Sequence, residues 1–159
     1  MGAMKTLVIG LGNPILCDDG IGIRVVQELA ARINLPEVDF YETSTSGLGL
    51  VDVLTGYQRA IIVDALVSGK GAPGEVRRLS LEDINATLHS TSLHDISIGE
   101  ALQLGRRLGA QMPEEIVIYG IEVQNIDTFS ENCTPEVEKA IPECAARIIE
   151  EMQLFKPTD

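Results

Sequence analysis

Between Arg59 and Leu66 the chain reads Arg-Ala-Ile-Ile-Val-Asp-Ala-Leu, a continuous apolar run broken by one acid. A strand with one wet face alternates apolar and polar residues; this one does not, so both of its faces must be covered. A mostly parallel sheet between helices supplies that environment. The rest of the chain supplies the partners. Lys5 to Gly10 is a short apolar strand opening into a glycine turn, and Val38 to Thr43 reads as another strand. Ile21 to Ile33 places Val25, Val26, Leu29 and Ile33 on one helical face, stopped by Asn34 and Pro36. A short helix over about Leu48 to Leu54 starts at Thr45 or Ser46 and ends at Gly56. Glu75 to Leu79 fits an edge strand, and Glu115 to Val123 a further strand.

Ser97 and Glu100 form a capping box for a helix with Ile98, Ala101, Leu102, Gly105 and Leu108 on one face. Thr134-Pro135 supplies an N-cap and N1 proline for a last helix to about Met152, which Pro142 should kink or split. The expectation is a single three-layer α/β domain over 4–159, a mostly parallel twisted sheet with helices on both faces. Met1-Gly2-Ala3 ahead of Met4 reads as a cloning scar.

The formal net charge of −12 disfavours nucleic acid and anionic lipid and favours a basic partner segment or a cation. No apolar run approaches the roughly 20 residues of a membrane span, and no signal peptide precedes the first strand. Cys17, Cys133 and Cys144 are odd in number and match no zinc spacing, so the expected compartment is the reducing cytoplasm. Aromatics are only 4 %, which argues against an aromatic-anchored interface and leaves the oligomeric state open.

In such sheets ligands sit outside the carboxyl ends of the strands, at the switch in strand order. Gly10 to Gly22, GLGNPILCDDGIG, occupies such a position and begins like a dinucleotide fingerprint. It lacks the third glycine and places Asp18 and Asp19 where a pyrophosphate needs bare N–H groups, so a nucleotide is disfavoured. Either Asp can cap the following helix, but two adjacent acids exceed what one cap requires. Asp64, inside the buried run, needs a cation, a proton, Arg59 or loop N–H groups as partner. His94 falls just before the capping box, where the helix dipole keeps an imidazole neutral; a plain hydrogen-bonding role is its ordinary alternative. Asp19, Asp64 and His94 map to one edge of the sheet, and two carboxylates with one imidazole suit Zn, Ni, Mn or Fe with positions left open. Cys17 has no basic neighbour to make it a nucleophile; Cys133 and Cys144 should pack.

With these residues assembled, the chain resembles the endopeptidases that mature nickel–iron hydrogenases. The resemblance spans nearly everything from Met4. It is carried by GLGNPILCDDGIG, STSGLGL, IIVDALVSGKGAPGEV and TSLHDISIGEAL. It implies an aspartic-type peptidase that removes a C-terminal extension from the hydrogenase large-subunit precursor once nickel has been inserted. Nickel in the substrate would be the recognition element, weakly held or absent in the free enzyme. It implies metal contact through Asp19, Asp64 and His94, with Asp19 standing where the family often has Glu. Asp19 and Asp64 would be catalytic, with Asp18 in a supporting role. Either the metal activates water or the scissile carbonyl, or one Asp acts as general base. Two other classes remain. One is a nickel-binding maturation chaperone without peptidase activity. The other is a peptidyl-tRNA hydrolase-like esterase, which shares GLGNP but is disfavoured by the charge.

Overall fold

The computed structural model describes residues 5–44, 48–81 and 98–154. Arg59–Leu66 forms β3, in the middle of a five-stranded sheet. The other strands are β1 (Thr6–Leu11), β2 (Val38–Thr43), β4 (Val76–Leu79) and β5 (Glu115–Glu122), in the order β2-β1-β3-β5-β4. β1, β2, β3 and β5 run parallel; only β4, at one edge, is antiparallel to its neighbour β5. The helices are α1 (Ile21–Arg32), α2 (Leu48–Leu54), α3 (Ile98–Arg107), α4 (Pro135–Glu138) and α5 (Ala140–Leu154).

The period-2 geometry of a strand sends alternate side chains to opposite faces, and both faces are apolar here. Val8, Ile61, Val63, Tyr119 and Ile121 pack with Ile21, Val25 and Leu29 of α1 and Cys144, Ala145 and Ile148 of α5. Leu7, Ile9, Ile62, Leu66 and Ile118 pack with Leu50 and Leu54 of α2 and Ala101 and Leu102 of α3. Two aliphatic cores enclosing one sheet make the three-layer α/β architecture expected from the apolar run. Met1-Gly2-Ala3 lies outside the described residues, as do Thr45, Ser46 and the Ser97 cap.

Three local expectations change. Leu108 does not join the apolar face of α3; the helix ends at Arg107 and Leu108 is 66 % exposed. Neither Asp18 nor Asp19 caps α1, whose N-cap is Gly20 with no side-chain bond. Thr134 is the N-cap of α4 by position, but its hydroxyl makes no capping bond because it is turned to Asp18. Pro142 acts as anticipated: the last helical stretch is split at Lys139, leaving Pro142 in the first turn of α5, where a missing N–H costs little.

The last helix is also tied down by charge. Arg78 of β4 donates to Glu151 Oε1 at 2.6 Å, and the Tyr119 hydroxyl donates to the same oxygen at 3.2 Å. Arg147 donates to the Val76 carbonyl at 2.8 Å and lies over the Tyr119 ring.

Candidate functional site

The sheet order reverses between β1 and β3: β1 leads outward to β2, whereas β3 leads the other way to β5. The crevice beyond their carboxyl ends is therefore the expected ligand position. Residues 12–20 form its first wall and the end of β3 its second.

The first wall is a tight loop. Gly12 has φ +141°, and a Cβ on it would overlap the Asp19 carbonyl oxygen. Asn13 N–H donates to Asp19 Oδ2 at 2.9 Å, and Ile15 N–H donates to Asn13 Oδ1 at 3.1 Å. Cys17 sits in the left-handed region at φ 52°, a conformation that costs a non-glycine residue on the order of 1 kcal/mol. Hydrogen bonds on both sides hold it there: its N–H donates to Ser130 O at 2.9 Å, and Asp18 N–H donates to Asn125 O at 2.9 Å. The glycines of this motif serve close packing rather than phosphate binding. A Cβ on Gly22 would overlap the Val63 carbonyl oxygen and lie 2.7 Å from that of Leu11, so α1 begins directly against β1 and β3.

The two adjacent acids part company. Asp18 is fully buried, its carboxylate bonded to the 124–134 segment. Its Oδ2 accepts from Gln124 N–H (3.0 Å) and Asn125 N–H (2.9 Å), and its Oδ1 from Thr134 N–H (2.6 Å); the Thr134 hydroxyl reaches both oxygens. Burial alone would raise this carboxyl, but the N–H donors of Thr134, Asn125 and Gln124 outweigh it and hold it below the usual range. Asp18 is thus a rivet between the first loop and the 124–134 loop. Asp19 is partly exposed, and its charge is felt at Asp64; among the described residues only Asn13 N–H is bonded to its carboxylate.

Asp64 lies in the same alternating row of β3 as Ile62 and Leu66, the row that faces α2 and α3. Arg59 is not its partner, being paired with Glu115 at 2.7 Å. Asp64 Oδ1 accepts from Ala65 N–H at 2.8 Å. Desolvation pushes the carboxyl up to about 8; the Ala65 bond works against this, and the charge of Asp19 adds to it. Asp19 and Asp64 are therefore brought within electrostatic reach of one another. An acid so placed holds a proton near neutrality, or exchanges it for a cation. His94 lies in 82–97, outside the described residues. Among the described residues no three His, Cys, Asp or Glu side chains gather closely enough to hold a metal ion.

Glu122 is a residue the sequence reading passed over. It ends β5 and is buried, on the sheet face that Asp64 shares. Ser68 donates its hydroxyl to Glu122 Oε1, and Arg77 lies 3.8 Å from that oxygen. Gly74 N–H donates to the Glu122 carbonyl at 2.8 Å. Glu122 thus anchors the 67–75 loop much as Asp18 anchors 124–134. The signal was present: an acid closing the apolar strand EIVIYGIE, like Asp64 in its own strand. The three cysteines are free; Cys144 is buried in the core, and Cys133 is half-buried with its thiol pushed up to about 11, chiefly by desolvation.

Residues 23–151 match the HycI family model, described as hydrogenase maturation protease. The chain is 30 % identical over 148 residues to the hydrogenase 2 maturation protease of Escherichia coli K12, covering 92 % of this chain and 89 % of that one. Its fold is similar to that of the hydrogenase maturating endopeptidase HybD from E. coli, with TM-score 0.81, 29 % identity and coverage of 94 % and 93 %. It is also similar to the [NiFe] hydrogenase maturation protease HybD from Thermococcus kodakarensis, with TM-score 0.67, 28 % identity and coverage of 94 % and 99 %.

Proposed function

The chain belongs to the hydrogenase maturation protease family and is a peptidase; on that premise we propose that it removes the C-terminal extension of a nickel–iron hydrogenase large-subunit precursor after nickel insertion. Asp19 and Asp64 form the reacting pair, and with His94 they contact the nickel carried by the substrate. What supports this assignment is that Asp19, on the loop after β1, lies near enough to Asp64, near the end of β3, for its charge to add to the rise of that carboxyl, which keeps its proton up to about pH 8. Two carboxyls in unlike environments divide the labour of an acid and a base: Asp19 takes a proton from the attacking water, Asp64 supports the carbonyl under attack, and the proton taken from water passes to the departing amine as the C–N bond breaks. The acid-base division holds while Asp64 keeps its proton; where nickel carried by the substrate displaces that proton, the metal would polarise the carbonyl in its place.

The donor set also explains selectivity for loaded substrate. Nickel in the precursor is expected on soft thiolates, with which carboxylate oxygens compete poorly. Asp19, Asp64 and His94 would cap that metal without extracting it, and the free enzyme would bind nickel weakly. The three free cysteines suit the cytoplasm, where this reading places the protein. Among the described residues no helix is long and apolar enough to cross a membrane.

The test is incubation with nickel-loaded precursor, read by mass spectrometry. Wild type shortens the precursor. Asp19→Ala, Asp64→Ala and His94→Ala each slow processing by at least about a hundredfold while retaining native circular dichroism. Unchanged processing by His94→Ala removes the metal-capping role, and nanomolar nickel affinity of the isolated protein, by calorimetry, overturns weak resident binding. Nickel binding without any loss of mass would instead support a maturation chaperone.

A further inference from the structure

Two large apolar side chains stand in the open, one on the first wall of the crevice and one on the loop bridged to it: Ile15 is 49 % exposed and Phe129 is 80 % exposed. They belong to different loops that are stitched together. Leu16 and Ser130 form a parallel bridge, and Ser130 N–H donates to the Ile15 carbonyl at 2.9 Å. Ile15 and Phe129 each lie one residue before that bridge, so the backbone sets them at matching positions.

The loop that displays Phe129 is braced. Asn125 Oδ1 accepts from Asp127 N–H at 3.0 Å and from Thr128 N–H at 3.1 Å, while its Nδ2 donates to Thr128 Oγ1 at 2.8 Å. The base of the loop hangs on buried Asp18. An apolar ring held in water by so many bonds loses little freedom on binding, which is the condition for a strong contact. Asp127 and Glu131, both exposed, stand two residues to either side of Phe129. The pair is also continuous with the reacting carboxylates. Ile15 N–H bonds to the Asn13 side chain, and Asn13 N–H bonds to Asp19.

We infer that Ile15 and Phe129 form a docking clamp for an extended segment of the precursor, one carrying an apolar side chain with Lys or Arg beside it. This rests on the peptidase reading proposed for Asp19 and Asp64. The apolar side chain sits between Ile15 and Phe129, the basic one meets Asp127 or Glu131, and the clamp brings the adjoining chain across Asp19. The low aromatic content therefore does not exclude an aromatic anchor; one braced phenylalanine suffices.

Steady-state processing of nickel-loaded precursor by Phe129→Ser, Ile15→Ser and the double variant tests the clamp, alongside calorimetric binding and thermal melting. The expected result is a KM and Kd raised about tenfold by either change and further by both, with kcat within about twofold and melting unchanged. Phe129→Leu restores most of the affinity. Leu108→Ser, at an exposed apolar residue just past the end of α3, leaves every constant as in wild type. A double variant with wild-type KM and Kd overturns the clamp while the peptidase reading stands. Should wild type bind the precursor without cutting it, the peptidase reading fails, and the clamp is judged by whether Phe129→Ser weakens that binding. Should wild type neither bind nor cut, both fail.

Discussion

Asp18 and Asp64 are carboxylates drawn away from water, and their surroundings push them in opposite directions. Asp18 is met by N–H groups from three residues and stays ionised; Asp64 has one such donor and an acidic neighbour and keeps its proton. The sign of each effect on stability follows by linkage. An acid raised in the fold is protonated there while already ionised in the unfolded chain, so between about pH 4 and about pH 8 stability falls as pH rises. An acid lowered in the fold contributes stability above its unfolded value, and this is lost as the pH falls toward its folded one. Metal-free protein should therefore melt at progressively lower temperature from about pH 5 to about pH 8, and Asp64→Asn should flatten that slope and melt higher than wild type at the alkaline end. An unchanged slope in the Asn variant, followed by differential scanning calorimetry, would contradict the raised carboxyl. Asp64 was legible in the sequence because an acid inside an apolar strand must be accounted for. The division of labour between Asp18 and Asp19 was not, because it depends on Gln124, Asn125 and Thr134, more than a hundred residues away in the chain.

Elements announced themselves wherever hydrophobic period and length agreed. β2, β3 and α2 fall on the expected bounds because each is an uninterrupted pattern closed by a polar or glycine boundary. Leu108 was misplaced because helical periodicity continues past the point where the helix stops; the turn at Gly109, with φ +81°, releases it to solvent. The seating of α1 was hidden as well, since a glycine inside a helix reads as a weakness rather than as a contact. Gly22→Ala tests that seating. Its methyl group would collide with backbone oxygens that cannot rotate away, so the variant should lose about 3 kcal/mol in urea unfolding. Because α1 follows directly on the loop bearing Asp19, precursor processing should fall too. A Gly22→Ala protein as stable as wild type would show that helix and sheet can slide apart at no cost.

For the whole molecule, alternating strands and helices with one doubly covered strand were enough to give three layers and the crevice position. Burial on the outermost loops is another matter, since no pattern in 124–134 distinguishes a covered Phe from a bare one; Phe129 had to be seen. The excess of acid over base is likewise a property of the entire surface. With a formal charge of −12, the field accelerates encounter with a basic segment over distances that added salt screens. Stopped-flow association with the precursor should slow about tenfold between about 50 mM and about 500 mM salt, with dissociation changing little. A rate indifferent to salt would mean that encounter is not steered by charge.

The 124–134 loop is fastened at its base by a buried carboxylate and along its crown by an asparagine side chain. Proteolytic nicking concentrates at loop tips that can unravel into an extended strand. This one has few backbone groups free to do so, despite its exposure. The rim that receives a peptide is thereby a poor peptide substrate itself, a useful property for a hydrolase that would otherwise present its own chain to every neighbouring copy.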